Sequence, residues 1–545
     1  MIFSLFTLLL LSILMMIMSM LFLFKNTFIY ISFPLINFWF LNISTSMILD
    51  WMSCLFLSTV LIISSMIMLF SIYYIPEEEQ PRFSLMLLMF ILSMSILIMS
   101  NNLFLILLGW DMLGMSSYIL VIYYQNSSSA ASGSITLLSN RIGDIFILLS
   151  ISMLIYICNW EFNMNEDYSL IIMFMLMLAA CTKSAQFPFS AWLPMAMSAP
   201  TPISALVHSS TLVTAGVFLM VRIMENMHPT TSLFLMTISS ITALYASMSA
   251  NWEQDLKKII ALSTLSQMAI MMFAISIYST LLAFFHLVIH AFFKSLMFMC
   301  AGTMIHETSY QDMRKMSFMS KCYPLISSTL GVASMALMGI PFMSGFFSKD
   351  SIIEKLINSK MECILSISMI ISIGMTASYS FRMITLSNNY FSKSKLDLFN
   401  HTSIQSNLSI LMMIPMSIIL GTLMMWIINP LWTMFFFPNF FKFTIMFMLL
   451  MGLSLGLMLS FKSIKFKMLG KPAILLWFIH IMSTMLMNMF SPLMNLFFWL
   501  DKSWQEEFGP KKTFTMNMLM MSFTETINSL QMMTLVMMMI IPIIF

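Results

Sequence analysis

Two histidines and a lysine interrupt an apolar stretch in the middle of the sequence. In "FFHLVIHAFFK", residues 284–294, the titratable side chains are His286, His290 and Lys294, each four positions after the last. Four residues advance an α-helix by about 6 Å and slightly more than one turn, so these groups share one face. Imidazole accepts a proton on one nitrogen and donates from the other, and burial makes a lysine easier to deprotonate. The spacing therefore predicts a water-bridged proton relay along one helix.

Other chemistry fits the same spacing. Histidines at i and i+4 can bind a metal, although the glutamate of HExxH is missing and a cationic lysine follows one turn later. The same lysine would oppose the charge of a ferric haem. The histidines could also be structural residues that hydrogen-bond neighbouring helices, and the residues alone leave that interpretation open.

Asp111 and Lys183 form a second candidate group. Each is an ionisable residue inside an apolar run, where an isolated charge is costly, so we expect a pair in which each supports the other's charge. A static structural ion pair explains them equally well. Arg141 and Asp144, three positions apart on one helix face, favour a structural pair. The other ionisable residues expected in the spans are His208, Asp255, Lys257, Lys258, Lys349 and Asp350.

Two apolar segments are broken by a proline near a lysine. "KSAQFPFSAWLP" begins at Lys183 and contains Pro188, and "MGIPFMSGFFSKD" contains Pro341 and Lys349. A proline removes a backbone hydrogen bond and opens a helix. Paired interruptions in two halves of a membrane protein indicate a transport pathway. The pattern predicts two discontinuous helices, with an ordinary helix–loop–helix at each place as the alternative.

The composition identifies the surroundings of these residues. Of the 545 residues, 60% are hydrophobic and 9% charged, with a mean hydropathy of +0.93 and a net charge of +3. Long uncharged runs recur throughout, which predicts an all-α polytopic membrane protein. The small, scattered positive charge does not indicate nucleic acid as a partner. The six cysteines form no CxxC pair, and we interpret them as packing residues.

Two further features concern the origin of the chain. The first 24 residues carry no charge, so we interpret them as a retained membrane span and not as a signal peptide. Methionine reaches 68 residues and phenylalanine 50. Such a bias favours translation inside an organelle with an A+T-rich genome over a methionine-based copper site.

Sliding-window hydropathy predicts about 16 transmembrane helices. The predicted spans are 3–24, 29–48, 51–74, 84–100, 102–124, 135–157, 168–190, 203–222, 231–250, 257–277, 279–305, 324–358, 364–386, 406–429, 441–461 and 526–545. Polar connectors include "PEEEQPR" at 76–82. Residues 473–525 mix apolar and charged positions, which fits one or two extra spans or an amphipathic helix in the membrane plane.

Seven motifs occur in an order that resembles the proton-pumping, antiporter-like subunits of respiratory complex I. They are "NRIGD", "TKSAQFPFSAWLPMAM", "APTPISALVHSSTLVTAGVFL", "DLKKIIALSTLSQ", "HAFFKSLMFMCAG", "QDMRKM" and "IPFMSGFFSKDSIIE". The resemblance covers residues 45–385 by motif and the remainder by hydropathy. It implies two inverted five-helix repeats with discontinuous helices and a C-terminal lateral amphipathic helix.

The resemblance also implies domain limits and residue roles. The implied ranges are 1–83 for N-terminal helices, 84–222 and 230–386 for the repeats, 387–461 for additional helices, 462–525 for a connector with the lateral helix, and 526–545 for a final anchor. The matching proton-path residues are Asp111, Lys183, His208, His286, His290, Lys294, Lys349 and Asp350, with Arg141 and Asp144 as supporting charges. Asp111 stands where the family commonly has glutamate, and Met112 where glycine is usual.

By the same resemblance, the chain would move protons across the mitochondrial inner membrane as a multi-pass, organelle-encoded subunit, driven by electron transfer from NADH to ubiquinone. We expect no cofactor in this chain, since it has no GxGxxG motif and no cysteine cluster. NADH, FMN, iron–sulfur clusters and ubiquinone would be bound by partner subunits. Expected partners are other membrane-arm subunits, especially the adjacent antiporter-like chain, supernumerary subunits and lipids such as cardiolipin.

Two other functions fit the sequence. The large subunit of multisubunit sodium/proton antiporters shares much of the "PTPISALVHSST" block, and it would exchange cations without NADH oxidation. A non-pumping structural membrane subunit would use the same buried charges only to hold helices together.

Overall fold

The computed structural model of the chain describes most of its residues. These are residues 1–38, 41–155, 160–161, 169–223, 227–316, 319–358, 363–388, 403–428, 439–460, 470, 472–473, 479–505, 509, 511–524, 534–536 and 538–539. They divide into two compact units, residues 1–477 and 478–545.

The first unit is mostly helical, as the sequence predicted. Its helices are α1 (Ile2–Lys25), α2 (Trp51–Tyr74), α3 (Gln80–Met99), α4 (Leu103–Val121), α5 (Ser127–Leu154), α6 (Leu170–Lys183), α7 (Trp192–Met195), α8 (Thr201–Ile223), α9 (Pro229–Trp252), α10 (Leu256–Ser276), α11 (Thr280–Thr308), α12 (Met319–Cys322), α13 (Pro324–Met338), α14 (Ser344–Asn358), α15 (Cys363–Ser387), α16 (Ile404–Ile428) and α17 (Asn439–Ser460). In the described part of the chain, 12 helices are long and apolar enough to cross a membrane, and α6 and α13 are shorter apolar helices.

Serine and threonine are compatible with these apolar helices because their hydroxyls bond within the helix. Ser58 donates to the carbonyl of Leu55 at 2.7 Å, and Ser64 donates to that of Leu61 at 2.9 Å. Each bond satisfies a polar group that would otherwise be costly in an apolar interior. The chain therefore carries many hydroxyl groups into the membrane without breaking its helices.

The predicted membrane span at 29–48 is wrong. The structure instead has two antiparallel strands, β1 (Ile29–Phe38) and β2 (Leu41–Leu49), with Ile29 opposite Leu49. Pro34 disfavours a helix interior, and the sequence of β2 alternates apolar and polar residues with period two. A hydropathy average over the window hides that alternation.

Three helices form the centre of the first unit. Nearly every residue of α8, α10 and α11 is buried, whereas α1 is largely exposed. Of the titratable residues that the sequence singled out, these central helices carry His208, Lys257, Lys258, His286, His290 and Lys294. Residues Ser204–Thr211 of α8 are π-helical, a geometry that is common at functional sites.

The two ends of this bundle are named here after the residues at the two ends of α2. At its start, the Asp50 end, the ring of Trp51 packs 5.7 Å from that of Phe284 in α11. Near its finish, the Tyr74 end, Phe70 lies against Gly302 of α11. Helices α2 and α11 therefore run parallel, and α8 begins at the Tyr74 end because Thr201 also contacts Gly302.

An ion pair joins the start of α2 to the end of α8 at the Asp50 end. Arg222 donates two hydrogen bonds to Asp50, at 2.6 and 2.8 Å, and Asp50 also caps α2 by accepting from the backbone of Ser53. Burial acts to raise the pKa of Asp50, but the hydrogen bonds and charge of Arg222 outweigh it and hold that pKa below its ordinary value. The folded state therefore favours the ionised form of Asp50.

Replacing Asp50 with asparagine should destabilise the protein by about 1.5–3 kcal/mol, the value of hydrogen bonds to a charged group. Asparagine caps a helix as well as aspartate, so Asp50→Asn removes only the ion pair. Asp50→Ala removes both the ion pair and the cap. Because the folded pKa is depressed, the contribution is complete above the unfolded pKa and disappears as pH falls through the folded one. Thermal unfolding of the purified protein at several pH values measures the contribution of the ion pair. Equal destabilisation by Asp50→Asn at all pH values would contradict the assignment.

The described residues of the second unit include two long helices and a π-helical turn. Helix α18 spans Ile479–Trp499, the turn spans Leu500–Gln505, and α19 spans Lys512–Thr524. Most described side chains of both helices are exposed. The lateral helix predicted within 462–525 is therefore helical where it is described. The predicted anchor at 526–545 lies almost entirely outside the described residues.

Candidate functional site

The first helix break places a lysine in the protein interior. Helix α6 ends at Lys183, and the chain turns before α7 begins at Trp192. Lys183 is fully buried, donates to the carbonyl of Trp110 at 2.9 Å, and lies 3.8 Å from the centre of the Trp110 ring. The aromatic face and the carbonyl both favour a cation at this point. The predicted discontinuity is confirmed here.

The carboxylates near Lys183 are arranged differently from the prediction. Asp111 is paired with Arg141 at 3.6 Å, and Arg141 also contacts Asp144 at 3.1 Å. The direct Asp111–Lys183 pair that the sequence predicted is absent among the described residues, because Lys183 bonds to the backbone of Trp110 instead. Both carboxylates still interact electrostatically with Lys183, Asp144 more strongly than Asp111. The four charges form one cluster.

Close packing of α5 on α6 brings Asp144 to the lysine. A Cβ atom on Gly143 would collide with the hydroxyl of Thr182, the residue before Lys183. Only glycine allows the two helices to approach this closely. The "NRIGD" motif thus supplies the charges and the small residue that positions them, a role for Gly143 that the sequence analysis did not predict.

His208 lies on the π-helical part of α8. Its ring is completely buried, with its centre 6.3 Å from that of Trp192. Neither ring nitrogen has a hydrogen-bond partner among the described residues. Buried polar groups in native proteins normally find a partner, which is often an ordered water. The site is therefore suited to a water that bridges to a neighbouring titratable group.

The relay predicted on α11 is buried as expected. His286, His290 and Lys294 are all completely inaccessible, and the rings of the two histidines are 6.2 Å apart. Lys294 donates to the hydroxyl of Ser263 on α10. Neither ring nitrogen of His290 has a partner in the described part of the chain. A water between adjacent members would complete the stripe.

His286 connects this stripe to the second break. One ring nitrogen lies 2.8 Å from the hydroxyl of Ser348, and the other lies 3.1 Å from the side-chain oxygen of Gln267. Ser348 directly precedes Lys349 in α14. The amide oxygen only accepts, so it holds a proton on the ring nitrogen that faces it, and the other ring nitrogen is free to exchange a proton with the Ser348 hydroxyl.

The second break also places a lysine against a backbone carbonyl, but here the lysine follows the break. Helix α13 ends at Met338 and α14 begins at Ser344, and Lys349 reaches back to donate to the carbonyl of Leu337. Lys349 is buried, whereas Asp350 lines an open cavity of about 410 Å³ with Glu354 and several apolar side chains. This break joins the buried groups to an accessible carboxylate.

The supporting polar residues on α10 were missed from the sequence. Ser263, Ser266 and Gln267 share one face of the helix, and Ser266 lies 3.4 Å from the hydroxyl of Tyr379. Their spacing of three and four residues within "STLSQ" was the available signal. Asp255, Lys257 and Lys258 lie at the start of α10, at the Tyr74 end, and not deep in the bundle. No group of three metal-binding side chains occurs within the described ranges.

Family descriptions match almost the whole chain. Residues 36–84 match "NADH-Ubiquinone oxidoreductase (complex I), chain 5 N-terminus", and residues 379–545 match "NADH dehydrogenase subunit 5 C-terminus". Residues 100–376, half of the chain, match "NADH:quinone oxidoreductase/Mrp antiporter, TM".

Curated relatives share one name. The NADH-ubiquinone oxidoreductase chain 5 of Aedes aegypti is 40% identical over 518 residues, covering 90% of this chain and 88% of the relative. That of Locusta migratoria is 44% identical over 426 residues, covering 76% and 74%.

A solved structure shares the fold. The Mrp complex from Dietzia sp. DQ12-45-1b has a TM-score of 0.70 at 23% identity. The match covers 83% of this chain and 52% of that one, so this chain corresponds to about half of the neighbour's chain.

Proposed function

Because the chain belongs to the NADH-ubiquinone oxidoreductase chain 5 family, we propose that it is the membrane subunit of respiratory complex I that moves protons across the mitochondrial inner membrane. Electron transfer from NADH to ubiquinone in partner subunits drives the movement. The observation that carries the proposal is the buried link from Lys294 and His286 to Lys349, in which Gln267 and Ser348 supply the contacts between helices.

The charge cluster at the first break acts as the switch. Lys183 holds a proton while Asp144 and Asp111 are ionised nearby, and Arg141 competes for the same two carboxylates. When the carboxylates move towards Arg141, the ammonium of Lys183 loses support and releases its proton. Neutral His208, whose ring nitrogens have no partner among the described residues, accepts it through water.

The second half of the protein passes the charge on. Lys294 exchanges its proton with the hydroxyl of Ser263, and His286 hands a proton to Ser348 beside Lys349. Asp350 then releases the proton through the cavity that it shares with Glu354. Every step is a proton transfer between side chains, directly or through water, and none requires a redox group in this chain.

The exposed charges indicate where a partner subunit binds. Asp111 and Arg141 have side chains that are 41% and 45% exposed, and both lie near the middle of their helices. Charges at that depth are costly against lipid, so a neighbouring membrane-arm subunit, the adjacent antiporter-like chain, covers this face. Supernumerary subunits and lipids such as cardiolipin are further expected partners. NADH, FMN, iron–sulfur clusters and ubiquinone belong to the partners.

The Tyr74 end faces the mitochondrial matrix in this proposal. Basic residues concentrate on the side of a membrane where synthesis occurs, and among the described residues they are more numerous at the Tyr74 end than at the Asp50 end. Those at the Tyr74 end are Arg82, Lys257, Lys258, Arg314, Lys315, Lys321 and Arg382, and those at the Asp50 end are Lys25, Arg222 and Lys355. Because the chain is synthesised inside the organelle in this proposal, the side of synthesis is the matrix.

A labelling experiment checks this orientation. An impermeant amine-reactive reagent added to mitochondria without outer membranes should modify Lys25, at the exposed end of α1, and should not modify Lys315. Opening the inner membrane should make Lys315 reactive, as mass spectrometry of the chain would show. Labelling of Lys315 on closed membranes would reverse the assignment.

A sodium/proton antiporter subunit is the second candidate, because the central match and the structural neighbour both name Mrp proteins. Both terminal matches describe complex I instead. Purification from native membranes separates the two functions. The chain should co-migrate with an NADH-oxidising assembly that pumps protons when reconstituted, whereas sodium-driven proton exchange without NADH oxidation would establish the antiporter.

A further inference from the structure

A hydrogen-bonded group of titratable residues lies at the Tyr74 end, outside the path described above. Tyr73, in the last turn of α2, donates to the carboxylate of Glu307, in the last turn of α11. Its hydroxyl also lies 3.1 Å from Nδ1 of His306, and Tyr323 donates to the other oxygen of Glu307 at 3.1 Å. The side chain of His306 is 43% exposed, whereas that of Glu307 is only 7% exposed. An accessible imidazole is thus joined to a buried carboxylate.

Exposed carboxylates follow the end of α2. The turn Glu77–Glu79 is exposed, and the ring of His306 lies 5.5 Å from that of Tyr74 in the last turn of α2. Negative charge grouped at a surface attracts cations and raises their local concentration. The "PEEEQPR" connector therefore attracts protons to the end of the helix against which His306 packs.

The group leads inward towards His208. Gly302 lies about 8 Å below Glu307 on α11, at 1.5 Å per residue. A Cβ atom on Gly302 would be 2.6 Å from the hydroxyl oxygen of Thr201, at the start of α8. That hydroxyl is completely buried and has no hydrogen-bond partner among the described residues. His208, whose ring nitrogens also lack a partner in the part of the chain that the structure describes, follows Thr201 by seven residues along the same helix.

We propose that His306, Tyr73 and Glu307 form a proton-collecting site that supplies protons to His208 through the hydroxyl of Thr201. His306 binds a proton from solvent at Nε2 and releases one from Nδ1 to the oxygen of Tyr73, whose own proton passes to Glu307. Protonated Glu307 gives the proton, through water, to the Thr201 hydroxyl, which passes its own proton on towards His208. Each carrier returns to its starting state. The inference rests on the proposed function and adds the side chains through which matrix protons are taken up.

The same contacts also tie three parts of the fold together, and the test must separate the two roles. The titratable groups that face His306 and Glu307 are Tyr73 and Tyr74 from α2 and Tyr323 from the turn before α13. Glu307→Gln keeps the shape and can still accept a hydrogen bond, but it cannot hold a proton. Tyr323→Phe removes one hydrogen bond to Glu307 and leaves the carboxylate able to hold a proton.

The experiment compares proton translocation by the purified, reconstituted complex across a range of pH on the Tyr74 side. Glu307→Gln and His306→Asn should lower this chain's contribution to the protons moved per NADH by about tenfold at pH 8, where protons are scarce, and much less at pH 6. Tyr323→Phe should keep the unaltered pH profile. Asp312→Asn, which removes a partly buried carboxylate paired with Arg314 at the same end, is the matched charge control and should also keep it.

The outcomes distinguish this inference from the proposed function. If the unaltered complex moves no protons, the proposed function fails. If it does, and Glu307→Gln and His306→Asn both keep its pH profile, the collecting site is wrong and the function stands. A Tyr323→Phe profile shifted as far as that of Glu307→Gln would assign the group a structural role. Should Glu307→Gln not assemble, the exposed His306→Asn decides the matter alone.

Discussion

Replacing Lys183 with methionine should lower proton translocation through this chain by about 10²-fold or more, the scale of a lost acid–base group. The methionine side chain has a similar length, and its sulfur packs well on the ring of Trp110. The helix break should therefore keep its shape while its proton carrier is lost. The measurement is protons moved per NADH oxidised in proteoliposomes, together with the amount of assembled complex.

Lys183→Arg is the control for this prediction. Arginine keeps the positive charge near Asp144 and Asp111 but does not release its proton at accessible pH. If Lys183 is a proton carrier, both variants stop the transfer. If it only balances the carboxylates, Lys183→Arg pumps normally and Lys183→Met assembles poorly while keeping its proton yield. Unchanged yield in assembled Lys183→Met would therefore favour the structural interpretation.

The titratable residues could be found from the sequence because each one is conspicuous alone. A histidine or lysine in a long apolar run stands out without knowledge of its neighbours, and His286, His290 and Lys294 are indeed buried together. The two helix breaks were equally visible, because proline acts on its own backbone. Features of this kind depend on local sequence.

Pairing could not be predicted, because it depends on how helices rotate and approach one another. The expected partner of Lys183 was Asp111, yet Arg141 lies between the carboxylates and Gly143 brings Asp144 closer. The contacts of His286 with Gln267 and Ser348 join residues that are far apart in the chain. No local pattern identifies such partners.

The hairpin shows a second limit. Residues 29–48 are apolar enough for a membrane span, and a window average cannot distinguish period two from period 3.6. The alternation in β2 was visible in the sequence but carried less weight than hydropathy. Glu307 and Thr201 were missed for a different reason, since a glutamate at a helix end and a threonine in an apolar helix are unremarkable until a third element brings them together.

Replacing His290 with leucine should stop the relay without lowering stability. Both ring nitrogens of His290 are buried without a protein partner among the described residues, so an apolar side chain breaks no hydrogen bond to a neighbouring helix. The variant should therefore be about as stable as the unaltered protein. The relay between His286 and Lys294 loses its middle member, and proton translocation should fall by about 10²-fold.

His286→Leu provides the matched comparison on the same helix. It also interrupts the relay, but it leaves Ser348 and Gln267 without their bonds to the ring, so stability should fall as well. Thermal unfolding of the assembled complex and its proton yield per NADH separate the two effects. If His290 served only to hold helices together, His290→Leu would lower stability and leave the yield of the remaining complex intact. A stable His290→Leu complex that does not pump would show that this imidazole is kept for its protons, because it contributes nothing to the stability of the fold.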